Sequence, residues 1–332
     1  MPVVYPETRR ARTSSCRPLV PDLVPVLVPA LVVARVPPAT LRACCGGKEQ
    51  AKRKGRIVTD WTLGRKFETP EGTVRWDVLG SGGDPIVLVH GTPYSSYLWR
   101  DIAPALARTR RVFVFDHLGF GRSDQREGQD LGLGAHARNF ARLLDHWELS
   151  RPSVVAHDIG GAVALRTLLL ERRDYRDLTL FDAVSGGRWE RGLFQLILEH
   201  SEVFRELPDY AHEALVTSHL RHATQTGLRP EVLEAFLAPW LGAAGQAAFY
   251  RQYSQIRQAD TEAYEHLLGE IRIPVRIVWG REDRILPPEY ARWLHERVPH
   301  AELHWIEDAG HLLQEDAPAR LLALLTEGFP DS

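Results

Sequence analysis

From Trp61 onward the chain alternates short apolar runs with longer segments in which apolar residues recur every three or four positions. Continuous apolar runs bounded by turn residues are the pattern of strands buried on both faces of a parallel sheet. The three-to-four period is that of helices packed against such a sheet. The runs PIVLVHG (85–91), RVFVFD (111–116), PSVVAH (152–157), LTLFD (178–182), IPVRIVWG (273–280) and AELHWIE (301–307) predict strands. TVRWDVLG (73–80) alternates apolar and polar residues, as a half-buried strand does. Helices are predicted over 97–107, 136–147, 161–171, 288–297 and 317–327. This alternation gives an α/β fold whose mostly parallel sheet is covered by helices on both faces. Residues 187–268 break the rhythm, holding several helical segments and no strand pattern. They predict a helical lid over the C-terminal edge of the sheet, where open α/β sheets place their ligands. The core is then 58–186 and 269–332.

Residues 1–57 follow neither rhythm. They carry eleven Lys and Arg against three acids, and PLVPDLVPVLVPALVVARVPP places Pro every few residues. Proline at that density removes amide donors and breaks helices, which makes a poor membrane span and a poor signal-peptide centre. The stretch reads as a disordered tail and as a candidate artefact of an upstream start codon. Met1 is the only methionine, so a shorter product would need a non-Met start, with Val58 the natural position. All three cysteines (Cys16, Cys44, Cys45) lie in this tail, so the rest of the chain has no thiol for a nucleophile, disulfide or zinc site. A reducing cytoplasm is the expected compartment. The whole chain of 332 residues is 44% hydrophobic and 25% charged with a net charge of −2. Nothing in that balance calls for nucleic acid or an anionic membrane as partner.

Chemistry concentrates at strand ends. Ala156-His157-Asp158-Ile159-Gly160-Gly161 has the small-x-nucleophile-x-small-small spacing of a nucleophile elbow. There small neighbours let a strand turn sharply into a helix and lift the central side chain above the sheet. The bland alternative is that Asp158 merely caps the helix. VWGREDRILPP puts Asp283 after the next-to-last strand, and IEDAGHLLQEDAP puts His311 after the last. Nucleophile, acid and histidine in that order, each at a strand's C-terminal end, form a candidate triad. Asp182 is the reserve acid and Glu282 a weaker one. In HGTP (90–93) the Thr92 amide is expected to face the same space as the Ile159 amide, giving a two-donor oxyanion hole. His90 reads as structural, and the acids and Arg122 of DHLGFGRSD (116–124) as loop braces. His212, His219 and His222 lack an acidic or Cys companion at ligand spacing and read as surface helix histidines rather than a metal site. The insertion also holds Tyr210, Tyr250, Tyr253, Tyr264, Trp189 and Trp240.

Residues 61–328 resemble the α/β-hydrolase superfamily. HGTPYSSYLWR, DHLGFGRSD, AHDIGG and AGHLLQEDAP are similar to blocks of its Asp-nucleophile branch, the haloalkane dehalogenases and epoxide hydrolases. The resemblance implies the α/β-hydrolase fold and a small hydrophobic substrate hydrolysed with water through an alkyl ester on Asp158. His311, oriented by Asp283, would activate the water, and no metal or organic cofactor is called for. Dehalogenases of this branch typically hold the halide with a Trp directly after the nucleophile and an Asn after the HG pair, or a lid Trp. Here those positions are Ile159 and Thr92, leaving Trp189 or Trp240 to compensate. Epoxide hydrolases protonate the opening oxygen with lid tyrosines, and Tyr250 and Tyr253, three apart, share one helix face. Epoxide hydrolysis is therefore favoured over dehalogenation. An esterase, a C–C hydrolase and a non-catalytic binding protein of the same fold stay open.

Overall fold

The computed structural model describes residues 61–327 and 329. The reading of 1–57 as a disordered tail and of Val58 as a start falls outside those residues. Eight strands form one sheet: β1 (Arg65–Thr69), β2 (Gly72–Leu79), β3 (Pro85–Val89), β4 (Arg111–Phe115), β5 (Ser153–Asp158), β6 (Asp177–Ala183), β7 (Val275–Gly280) and β8 (Glu302–Ile306). Their spatial order is β1-β2-β4-β3-β5-β6-β7-β8. β1, β2 and β4 pair antiparallel, and the sheet from β4 to β8 is parallel.

The apolar runs are continuous because both faces of the sheet are covered. Val87, Val89, Phe113 and Phe115 enter one hydrophobic cluster, while their chain neighbours Ile86, Leu88, Val112 and Val114 enter the other. A period-two strand with two dry faces leaves no polar position. The helices Leu133–His146 and Ile159–Leu169 pack against each other on the first face. Trp99 and Phe181 meet edge-on across the second, with ring centroids 5.7 Å apart.

The expected helix over 97–107 is instead a 3₁₀ turn, Ser96–Trp99, and a single α-turn, Ala103–Leu106. Pro104 supplies no amide to bond back to the preceding turn, so the two turns do not fuse. Every element between β6 and β7 is a helix, with Gly192–Glu199, Asp209–His222, Pro230–Leu237, Gly242–Tyr253 and Gln258–Glu265 the longer ones. Among the described residues no single helix is long and apolar enough to cross a membrane.

Candidate active site

β5 ends in Asp158, whose backbone lies at φ 52° and ψ −127° before the chain enters the Ile159–Leu169 helix. A non-glycine residue in that region costs on the order of 1–3 kcal/mol, which surrounding packing must hold in place. The neighbours show why they are small. A Cβ at Gly160 would stand 2.7 Å from the His90 carbonyl oxygen, and one at Gly91 would stand 2.3 Å from the Asp158 Cβ. Asp158 makes no side-chain capping bond to its helix. Its Oδ1 instead accepts the Thr92 amide at 2.7 Å. Of the two amides expected to form an oxyanion hole, that of Thr92 thus already sits on the carboxylate itself.

His311 Nε2 stands 3.5 Å from Asp158 Oδ2, and His311 Nδ1 donates to Asp283 Oδ2 at 2.9 Å. The Ile285 and Leu286 amides donate to the other Asp283 oxygen at 2.8 and 2.9 Å, fixing the acid in its loop. Burial alone would lower the His311 pKa, but the flanking carboxylates Asp283 and Asp158 outweigh it and hold it well above the usual value. Burial would likewise raise Asp158, yet the His311 imidazole holds it below the ordinary carboxylate range. Asp182 makes no hydrogen bond to His311; its Oδ1 accepts the Gly280 amide at 2.9 Å. Glu282 Oε2 accepts the Ala309 amide at 3.0 Å, a brace between two loops.

His90 is buried, and its Nε2 accepts the His117 amide at 2.9 Å. That leaves Nδ1 as donor to the Gly91 carbonyl at 3.0 Å, so the ring is neutral and structural. Asp116 accepts the Ser96 and Arg122 amides, and Asp124 accepts the Thr73 amide, which ties these loops together.

Above Asp158 lies a cavity of about 780 Å³ whose walls come from the sheet edge and the lid. Tyr253, at the end of the Gly242–Tyr253 helix, lines it. The Tyr253 hydroxyl is 3.1 Å from His219 Nε2, and Thr92 lies within hydrogen-bonding reach. Burial and the Asp158 charge push the phenol pKa up, keeping the proton on oxygen. Tyr250 does not line the cavity. Its hydroxyl pairs with His212 Nδ1 at 2.9 Å, while His212 Nε2 donates to the Trp240 carbonyl at 2.8 Å. A 60° step around the helix suffices to separate the two tyrosines.

The histidines of the Asp209–His222 helix are not simple surface residues. His212 is buried in that aromatic cluster, and His219 faces the cavity with its pKa lowered to about 4, chiefly by burial. His222 is exposed at the cavity rim. Both lid indoles are already bonded: Trp189 Nε1 donates to Thr261 Oγ1 and Trp240 Nε1 to the Pro93 carbonyl, each at 2.9 Å. His157 was not singled out by sequence; it is buried beneath the triad with Nε2 donating to the His311 carbonyl at 2.9 Å. Its only signal was its place beside Asp158.

Residues 84–318 match a family model described as alpha/beta hydrolase fold. The chain is similar to a solved alpha/beta hydrolase fold protein from Burkholderia ambifaria, at 44% identity and a TM-score of 0.77, over 80% of this chain and 98% of that one. It is also similar to haloalkane dehalogenase 2 of Mycobacterium tuberculosis, 28% identical over 280 residues, 80% of this chain and 94% of the relative. A 2-hydroxy-6-oxo-2,4-heptadienoate hydrolase of Pseudomonas putida is 29% identical over 259 residues, 74% of this chain and 88% of the relative.

Proposed function

The chain belongs to the α/β-hydrolase fold family, and we propose that it hydrolyses a small hydrophobic epoxide through an alkyl ester on Asp158. The observation that carries this reading is the division of labour between the two carboxylate oxygens. Oδ1 accepts the Thr92 amide at 2.7 Å, while Oδ2 stands 3.5 Å from His311. A carboxylate held this way attacks an sp³ carbon with Oδ2. The resulting ester has its carbonyl oxygen already in the oxyanion hole.

In the first step the Asp158 Oδ2–carbon bond forms as the epoxide C–O bond breaks. The Tyr253 hydroxyl, positioned by His219, gives its proton to the opening oxygen. In the second, water attacks Asp158 Cγ and His311 takes a water proton while Asp283 stabilises the imidazolium. The Cγ–Oδ2 bond then breaks, the leaving diol oxygen takes the proton from His311, and the remaining water proton returns to the Tyr253 phenolate as the Asp158 carboxylate is restored. Negative charge collects on Oδ1 between the two amides. Esterification removes the Asp158 charge, one of the two that hold the His311 proton. The imidazole therefore becomes a better base when a base is needed.

Dehalogenation is the second reading, favoured by the similarity to haloalkane dehalogenase 2. Against it stand the leaving-group donors. Ile159 has none, the Thr92 hydroxyl is bonded to Gln252 Oε1 at 2.7 Å, and both indole N–H groups are engaged. Epoxyhexane and bromohexane, offered to the same protein, separate the readings. Diol should form from the epoxide with little bromide released from the bromoalkane. Brisk bromide release without diol would reverse the assignment, and retained turnover in Asp158→Ala would remove the nucleophile.

A further inference from the structure

Asp182 is fully buried behind the triad, and the mechanism above does not use it. The β5–β6 register explains how it gets there. His157 pairs with Phe181 and Asp158 with Ala183, so Asp182 is an extra residue in the ladder, at φ 42°. A bulge at that point re-aims one side chain, here inward beneath the strand ends. One Asp182 oxygen accepts the Gly280 amide; the other has no partner of donor type. Gly280 links the two acids: its amide donates to Asp182 and its carbonyl accepts the Asp283 amide at 3.3 Å, while His311 bonds Asp283 from its other side.

We infer that Asp182 is the proton-bearing half of a carboxyl–carboxylate pair with Asp283, and that the pair carries a single negative charge behind His311. Two neighbouring carboxylates in a dry site do not both stay ionised, because like charges there repel strongly. The donors decide which keeps the proton. Asp283 receives three hydrogen bonds, from Ile285, Leu286 and His311. Asp182 receives one, from Gly280. The proton therefore resides on Asp182 and is donated to Asp283. Burial and the Asp283 charge act in the same direction, raising Asp182 well above the ordinary carboxylate range. Asp182 is a positioning residue: it orients Asp283 and tempers its charge without touching substrate. When Asp283 is removed, the same charge relocates to Asp182, which then balances the imidazolium through space.

The inference rests on His311 being the base of the second step, so the test reads that step directly. The Asp158 ester is formed with epoxyhexane in a single turnover, and its disappearance is followed by mass spectrometry. Asp182→Asn keeps an acceptor for Gly280 and a donor for Asp283, so ester hydrolysis should stay within about threefold of the parent protein. Replacing Asp283 and Asp182 together by Asn should slow it about 10⁴-fold, as loss of the triad acid does elsewhere. Asp283→Asn alone should fall between, roughly 10²-fold down, because Asp182 takes over the charge. An infrared difference between the parent protein and Asp182→Asn should also show loss of a protonated-carboxyl stretch, with no substrate present. A loss in Asp182→Asn as deep as that in Asp283→Asn would overturn the inference. So would an Asp283→Asn variant as slow as the double variant, or an absent carboxyl band. Failure of the underlying reading has a different signature: no ester forms on Asp158 at all.

Discussion

Replacing Tyr253 by Phe removes one oxygen and leaves the ring. The ring packs on Phe249 and Phe194, with centroids 4.7 and 5.4 Å away, and those contacts survive. What is lost is the bond to His219 and, among the described residues, the one phenol that lines the cavity beside Asp158. His219 keeps an imidazole beside the cavity, so the cost to folding should stay near the ~1 kcal/mol of an ordinary hydrogen bond. The cost to chemistry is larger. A donor aimed at developing oxyanion charge contributes ~3 kcal/mol, or about 10²- to 10³-fold in rate. The indoles of Trp189 and Trp240 cannot replace it, since each already donates to protein. Rapid-quench mass spectrometry of the Asp158 adduct measures the first step alone. With epoxyhexane, Tyr253→Phe should slow ester formation by that factor while ester hydrolysis and KM change little. Ester formation at the parent rate would refute the role of Tyr253. A matching loss with bromohexane would show that the hydroxyl serves halide as well.

Tyr250→Phe should do the opposite. It leaves buried His212 Nδ1 without its donor, costing about 1–3 kcal/mol in chemical denaturation while kcat is unchanged, and a fall in kcat would contradict the assignment. Gly91→Ala drives a Cβ to within 2.5 Å of Asp158 Oδ1, and a displaced carboxylate should lose at least about 10²-fold in kcat/KM while circular dichroism is retained. Acid stability follows from buried neutral histidines. Burial lowers His136 to about 4 and His157 to about 3, whereas in the unfolded chain both bind a proton near pH 6.5. The unfolded state therefore takes up protons first as pH falls, and stability should drop between pH 6.5 and about 4 by ~1.4 kcal/mol per pH unit for each histidine. Urea titrations across that window should show the slope, and a flat profile would contradict the burial of the neutral rings. His311 acts in the other direction: its raised pKa contributes stability that is present below pH 6.5 and lost as pH rises through the folded value.

The parallel strands were legible because burial on both faces writes itself as an unbroken apolar run, as in β3, β5 and β7. β1 was not. Its sequence RKFET lies on the sheet's edge, mostly exposed, and carries neither a run nor an alternation. Asp158, Asp283 and His311 could be read together because a strand's end is a sequence feature and three of them in a fixed order are a pattern. Partnerships between distant helices leave no such trace. His219 and Tyr253 are 34 positions apart, and neither has a local motif that names the other. The bulge that turns Asp182 inward, where its Oδ1 accepts the Gly280 amide, arises from how β5 and β6 register and has no local signal in the sequence.

The central claim is that water attacks Asp158 and not the substrate. A single turnover of epoxyhexane in water labelled with heavy oxygen, with protein in excess, separates the two routes. If the ester forms, the product takes its new oxygen from Asp158, and the label enters the Asp158 carboxylate, where peptide mass spectrometry should find it. Label in the diol with none in the peptide containing Asp158 would contradict the account.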